Sequence, residues 1–234
     1  MNTNKNLLVA LALALALIAA VWLFARDGSH PLPIAEGDTA SWDLQGTYEG
    51  NAELEARAKN EIARLEGLFG GDQSGKDDDP TDYILNVSIA NQYELLGDGA
   101  KAYEYLGRAA RIDPGTGLAW RNLGSLAERL GAFATARIGY AKAVEAQPQI
   151  AEYHLARLAF LTKHFAGETS AVEAAFGEAE AQFGDAPEII QLKAQWHAGT
   201  GRIAEAIAAW ERLKALVEDD GAIEREIARL RALL

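Results

Sequence analysis

The fold of this chain is decided by residues 117–150, which read GLAWRNLGSLAERLGAFATARIGYAKAVEAQPQI. Trp120, Leu123 and Ala127 are three or four residues apart, which places them on one face of a first helix. Gly131 follows where a helix would end on a left-handed residue. Pro148 stands where a second helix must stop, because proline cannot continue a helix cheaply. The stretch therefore predicts two helices joined by a short turn.

The same pattern recurs along the chain, which makes a chance match improbable. Thirty-four residues upstream, Tyr93, Gly97, Ala102 and Pro114 fall in the equivalent places. Downstream, after a shift of a few residues, the matching positions are Ala194, Gly201, Ile203, Ala206, Trp210 and Leu213. The copy between them, at about 151–186, has extra residues around 164–170 and no turn glycine in place. The predicted helix pairs are 81–96 with 99–112, 117–130 with 133–146, 150–163 with 168–183, and 187–199 with 202–218.

This series resembles the tetratricopeptide repeat (TPR), a helical hairpin with a period of 34 residues. The resemblance covers about 135 residues, or four periods. It implies an all-α solenoid of about four hairpins, with an amphipathic helix at 222–234 capping the last one. The signature positions that carry it are Tyr93, Gly97, Ala102, Trp120, Leu123, Gly124, Gly131, Ala136, Tyr140, Pro148, Gly201, Ala206 and Trp210.

An apolar run at 7–25 precedes the repeats and is long enough to span a bilayer, at about 28 Å. An uncleaved anchor is favoured over a signal peptide, because the residues before Arg26 make a poor cleavage site. Lys5 weakly favours a cytoplasmic tail at 1–6. We therefore predict a single-pass protein of the bacterial inner membrane, with the domain at 81–234 in the periplasm.

Between the span and the repeats we expect a flexible linker at 26–50, rich in Pro, Gly and Asp. Trp42 and Tyr48 in it either pack on the following helix or form a short recognition motif. The segment 51–80 is predicted as an amphipathic helix followed by an acidic loop. That helix either caps the first repeat or pairs with a second copy of itself. The loop lacks the ligand spacing of a calcium site.

Composition limits the possible functions. The net charge is −12, which argues against nucleic-acid binding. The chain has no cysteine, and its four histidines, His30, His154, His164 and His197, show no metal-ligand spacing. No phosphate-binding loop or nucleophile motif is present. We expect no enzyme activity, no cofactor and no metal.

The TPR resemblance implies a concave groove lined by the first helix of each hairpin. The groove residues it assigns here are Val87, Asn91, Glu94, Arg121, Asn122 and Ser125. Asn91 and Asn122 match two positions of the family's carboxylate clamp, Val87 replaces its lysine, and Arg121 could supply the cation. A local excess of positive charge either forms a strip for an acidic or C-terminal peptide or is spread over the outer face. It comprises Lys101, Arg108, Arg111, Arg121, Arg129, Arg137 and Lys142.

The leading hypothesis is a membrane-anchored scaffold that binds a peptide or partner protein, in envelope protein assembly. The residues EAIAAWERLKAL at 205–216 and the loose third repeat also resemble the TPR subunit of bacterial cytochrome c maturation. That resemblance implies presentation of apocytochrome to the haem-ligation machinery, although this chain has one apparent span where many members have two. The remaining alternative is a structural envelope subunit that associates with itself as a homo-oligomer.

Overall fold

The computed structural model describes residues 29–69, 81–218 and 221–234. These ranges contain ten helices and, apart from an isolated bridge between Asp43 and Asp98, no strand. The all-α prediction is therefore confirmed. The predicted membrane span at 7–25 and the acidic loop at 70–80 lie outside the described residues. Within the described ranges, no helix combines the length and apolarity needed to cross a bilayer.

Eight of these helices pair into four consecutive hairpins: α2 with α3, α4 with α5, α6 with α7, and α8 with α9. A further helix precedes the hairpins and another follows them. The bounds are α1 (Ala52–Glu66), α2 (Asp82–Leu96), α3 (Gly99–Ile112), α4 (Gly117–Arg129), α5 (Phe133–Ala146), α6 (Ala151–His164), α7 (Thr169–Phe183), α8 (Pro187–Gly199), α9 (Ile203–Lys214) and α10 (Ala222–Arg231).

Three of the hairpin turns use a glycine in the left-handed region. Gly97, Gly131 and Gly201 have φ angles of +84°, +79° and +77°. Each follows the end of a first helix, where a residue without a Cβ adopts this conformation at little cost. The third hairpin differs, because residues 165–168 join α6 to α7 without a left-handed residue. This longer turn corresponds to the extra residues in the weakest copy of the repeat.

Small residues let the two helices of the second hairpin approach closely. A Cβ added to Gly139 would lie 2.7 Å from the backbone nitrogen of Gly124. Ala136 on the same helix is fully buried. Neighbouring hairpins are joined by buried polar contacts as well, since the backbone N–H of Ala119 donates to the hydroxyl of Tyr83 at 2.9 Å. The signature residues Gly124 and Ala136 therefore allow the close packing within the hairpin, whereas Tyr83, which is not a signature residue, joins the hairpin to its neighbour.

The buried apolar residues of the described chain form three clusters along the stack. The last cluster contains Ile190 of α8, Trp210 of α9, and Ile227 and Leu230 of α10. Burial of each such large apolar side chain contributes roughly 1.5–3 kcal/mol. Helix α10 thus covers the apolar side of the last hairpin, as expected for a capping helix.

Residues 29–50 correct the prediction of a flexible linker, because they pack against the hairpins. We call this segment the strap. Leu32 and Leu44 are buried in the first part of the core. The ring of His30 stacks on that of Tyr103 with centroids 3.5 Å apart, and Trp42 meets the same tyrosine edge-on. The apolar surface buried by these side chains holds the strap in place.

The strap is followed directly by α1, which packs on α2. The backbone N–H of Tyr48 donates to the carbonyl of Leu95 at 2.9 Å, just before α1 begins. Helix α1 then buries Ala58, Ile62 and Leu65. Its apolar stripe therefore faces the first hairpin, in agreement with the interpretation of this helix as an N-terminal cap.

Candidate functional site

The first helices of the hairpins, α2, α4, α6 and α8, form the surface that we call the concave face. Ion pairs connect three of these helices directly. Glu94 of α2 pairs with Arg129 of α4 at 2.5 Å, and Glu128 of α4 pairs with Lys163 of α6 at 2.8 Å. These contacts link neighbouring first helices across the concave face.

The pKa values of two carboxylates of the concave face are shifted in opposite directions. Burial raises the pKa of Glu94, and the nearby Arg129 and Arg121 only partly oppose this shift. Burial also acts to raise the pKa of Glu128. There, hydrogen bonds from Lys163, His164 and Tyr140 outweigh burial and lower the pKa. The lowered pKa therefore favours the ionised carboxylate of Glu128 on this face.

The predicted groove residues divide into accessible and inaccessible positions. Asn91 is exposed, whereas Arg121, Asn122 and Ser125 are half-buried. Val87 is buried in the core, which corrects its assignment to the groove. The reason is its position one helical turn after the buried Tyr83, which places both side chains on the same face of α2.

Arg121 is already engaged within the chain. Its guanidinium donates to the amide oxygen of Asn122 at 3.2 Å and lies 3.5 Å from the carboxylate of Glu152 on α6. An incoming carboxylate would have to compete with Glu152 for this cation. The residue predicted to supply the cation of a carboxylate clamp, Arg121, thus already has an internal partner.

The basic residues at 101–142 do not form one strip, which corrects the strip interpretation. They are spread over α3, α4 and α5, which belong to both helix layers. Several pair with carboxylates outside this segment, as Arg129 does with Glu94 and Arg137 with Glu168. The ammonium group of Lys142 instead lies over the ring of Trp120, 4.8 Å from its centroid. The local excess of charge is therefore largely neutralised by the fold.

The four histidines occupy unrelated places. His30 belongs to the strap, and His154 contacts the carbonyl of Pro148 at 2.9 Å. His164 contacts Glu128, and His197 lies near Glu173. Within residues 29–69, 81–218 and 221–234, no group of three or more His, Asp or Glu side chains is arranged to hold a metal ion.

The sequence did not predict the contacts that the strap makes with the second hairpin. The carboxylate of Asp38 accepts hydrogen bonds from the backbone N–H of Ala134 at 3.2 Å and of Thr135 at 2.6 Å. The hydroxyl of Thr135 in turn accepts a hydrogen bond from the backbone N–H of Ala35 in the strap, at 2.8 Å. The available signal was weak: two buried leucines, Leu32 and Leu44, stand among turn-forming residues.

The paired helices, glycine turns and capping helix together define a TPR-type helical solenoid. Among solved structures, the chain is similar to MamA, with a TM-score of 0.53 and 14% identity over 76% of this chain and 94% of that one. It is also similar to PilW, described as a type IV pilus biogenesis factor, with a TM-score of 0.53 and 19% identity over 77% of this chain and 84% of PilW.

A third similar structure is TTC0263, a TPR protein of Thermus thermophilus. Its TM-score is 0.50 and its identity 21%, over 76% of this chain and 92% of that one. No protein-family model matches the chain, and no curated protein matches it by sequence. At these identities the similarity concerns the fold alone, which is that of a TPR solenoid.

Proposed function

We propose that this chain is an interaction scaffold that holds a peptide or partner protein along its concave face, and that it performs no catalysis. One observation carries the proposal. The charged side chains of the face pair with one another across α2, α4 and α6, whereas Asn91, Asn122 and Ser125 remain accessible between them. Amide and hydroxyl groups can both donate and accept, so they suit recognition of a peptide backbone.

We further propose that the apolar run at 7–25 anchors the scaffold in the bacterial inner membrane, with the hairpins in the periplasm. The support for the anchor is the sequence, because the run has the length of a bilayer core and no charged residue. The strap begins only a few residues after this run. An anchored chain would therefore hold its first two hairpins near the bilayer.

The proposal is tested by cross-linking and pull-down from membranes of cells that express the full chain. Replacing Arg121 and Asn122 together with Ala should remove the captured partner, because both side chains belong to the concave face. The matched control is Arg225→Ala with Gln182→Ala, which removes the same two functional groups from α10 and α7. Equal capture by both double variants would contradict the proposal.

Two narrower functions fall within or beside this class. Presentation of apocytochrome in cytochrome c maturation is supported by the residues at 205–216 and the long third turn. Deletion of the gene tests this function, and loss of c-type cytochromes is the result that supports it.

The second alternative is self-association as a structural envelope subunit. Light scattering of the purified chain tests it by measuring the oligomeric state. A strictly monomeric chain would exclude self-association.

A further inference from the structure

A second groove lies where the strap and α1 meet the first hairpin, and none of the predicted groove residues of the concave face lines it. One cavity of about 450 Å³ opens between α1 and α2 and is walled by Ile62, Tyr93 and Leu96. A neighbouring cavity of about 480 Å³ lies beside the strap, with Trp42 in its wall. Leu96 lines both cavities, so they are adjacent.

The rim of this groove is strongly negative. Among the described residues that line the two cavities are five carboxylates and a single ammonium group, that of Lys59, giving a formal charge of −4. The five carboxylates are those of Asp43, Glu49, Glu55, Glu66 and Asp98. Lys59 lies 3.6 Å from Glu55 and so neutralises only part of this charge.

Besides burial, two of these carboxylates, Glu66 and Asp98, affect the pKa of the Tyr93 hydroxyl. Burial raises its pKa, and the negative charges of Glu66, Asp98 and Glu104 raise it further, against the opposing effect of Lys101. A cation placed near this ring would therefore meet a negative potential as well as an apolar wall.

The tyrosine ring stacked on Tyr93 already contacts a cation. The rings of Tyr93 and Tyr105 are stacked with centroids 5.6 Å apart. The guanidinium of Arg108 lies over the Tyr105 ring, 4.5 Å from its centroid. Tyr93 lines the cavity, so a guanidinium or ammonium group placed against the free face of its ring would gain the same attraction.

We propose that this acidic groove docks a segment rich in Arg and Lys from a partner protein, separately from the concave face. The carboxylates attract and orient the cationic ends. Ile62 and Leu96 offer apolar surface to the aliphatic stems of those side chains. The net charge of the lining excludes an acidic segment from this groove.

The test is the binding of fluorescein-labelled hexa-arginine to the purified chain, followed by fluorescence anisotropy. The variant Glu55→Gln with Glu66→Gln should bind about tenfold more weakly, because it removes two of the attracting charges. Glutamine keeps an acceptor for the N–H of Gly50 and the hydroxyl of Tyr105, which these carboxylates bind in the native chain. Tyr93→Leu should weaken binding about threefold through loss of the ring.

The matched control is Glu145→Gln with Glu205→Gln, which changes the net charge equally but lies on α5 and α9. It should alter hexa-arginine binding less than about twofold. Equal weakening in both double variants would mean attraction to the whole acidic chain and would overturn the proposal. Loss of binding in the Arg121→Ala, Asn122→Ala variant would show that the peptide binds to the concave face, and would also overturn the proposal. Circular dichroism confirms that each variant is folded.

Discussion

The carboxylate of Asp38 caps helix α5 from outside that helix, since its Oδ2 accepts a hydrogen bond from the backbone N–H of Thr135 at 2.6 Å. The residue at the cap position itself, Ala132, has no side chain able to accept this bond. Two of the N–H groups at the start of α5, those of Ala134 and Thr135, are thus satisfied by a residue 96 and 97 positions earlier in the chain. The strap is therefore an integral part of the second hairpin.

Replacing Asp38 with Ala should reduce the free energy of unfolding by about 1 kcal/mol, the usual cost of losing a helix cap. Asp38→Asn should cost less, because the amide oxygen still accepts. Urea denaturation monitored by circular dichroism measures both. Glu36→Ala, an exposed change in the same segment, is the control and should be nearly neutral. Equal stability of the Asp38→Ala and Glu36→Ala variants would contradict the cap.

The same carboxylate should contribute to acid sensitivity. Burial acts to raise the pKa of Asp38, but hydrogen bonds from Thr135 and Ala134 outweigh it and lower the pKa below 3.8. The contribution of this carboxylate to stability is therefore complete above about pH 4 and is lost as the pH falls through the lowered pKa of Asp38 in the folded chain. The stability difference between wild type and Asp38→Asn should accordingly shrink in that acidic range.

His30 should make the strap sensitive to milder acid. Burial lowers its pKa below 6.5, and Arg111 adds to this, although hydrogen bonds to the carbonyls of Tyr103 and Leu32 oppose the shift. A lowered pKa means that the folded chain prefers neutral His30. The contribution of neutral His30 to stability is complete above pH 6.5 and is lost as the pH falls towards the pKa of His30 in the folded chain. The free energy of unfolding then changes by at most about 1.4 kcal/mol per pH unit.

Unfolding in urea at pH 7.5 and pH 5.5 measures this effect. Wild type should lose more stability than His30→Gln over that interval, because His154 and His197 are present in both and cancel. An identical loss in the two proteins would show that His30 does not titrate as its surroundings require.

A methyl group at Gly107 should displace the strap. A Cβ there would overlap the imidazole of His30. We expect Gly107→Ala to expose the strap to limited proteolysis and to destabilise the chain by roughly 1–3 kcal/mol. The control is Gly177→Ala on α7, where a Cβ meets nothing within 4 Å. That change should stabilise by roughly 0.5–1 kcal/mol, and a similar gain at Gly107 would contradict the packing of His30.

The crossing of α4 and α5 should tolerate no added carbon. A Cβ at Gly139 meets backbone atoms of Gly124, which cannot rotate away as a side chain can. Gly139→Ala should therefore lower the free energy of unfolding by about 1–3 kcal/mol. Gly199→Ala, at an open position of α8, is the control. Thermal unfolding that ranks Gly139→Ala as the more stable variant would be inconsistent with the close crossing.

The local features of the fold were predictable from sequence, and the long-range ones were not. Helix α4 begins at the predicted Gly117, and the turns at Gly97, Gly131 and Gly201 have the conformation that their residue type favours. Periodicity and turn chemistry are encoded within a few neighbouring residues. The strap depends on contacts between positions such as Asp38 and Thr135, for which no local pattern exists.

The candidate site was predictable only in outline. The period of the repeat placed Asn91 and Asn122 on the first helices, where they are accessible. It could not show that Glu152 already pairs with Arg121, because that carboxylate belongs to the next hairpin. The acidic groove escaped prediction for the same reason, since its walls come from the strap, α1 and α2 together.

The central claim is that the concave face holds a protein partner, and site-specific photo-cross-linking in living cells tests it most directly. Benzoylphenylalanine is introduced in turn at Asn91, at Asn122 and at Ile138, an exposed position on α5. Discrete adducts from Asn91 and Asn122, with none from Ile138, are the predicted result. Adducts from Ile138 alone, or from all three positions alike, would contradict it.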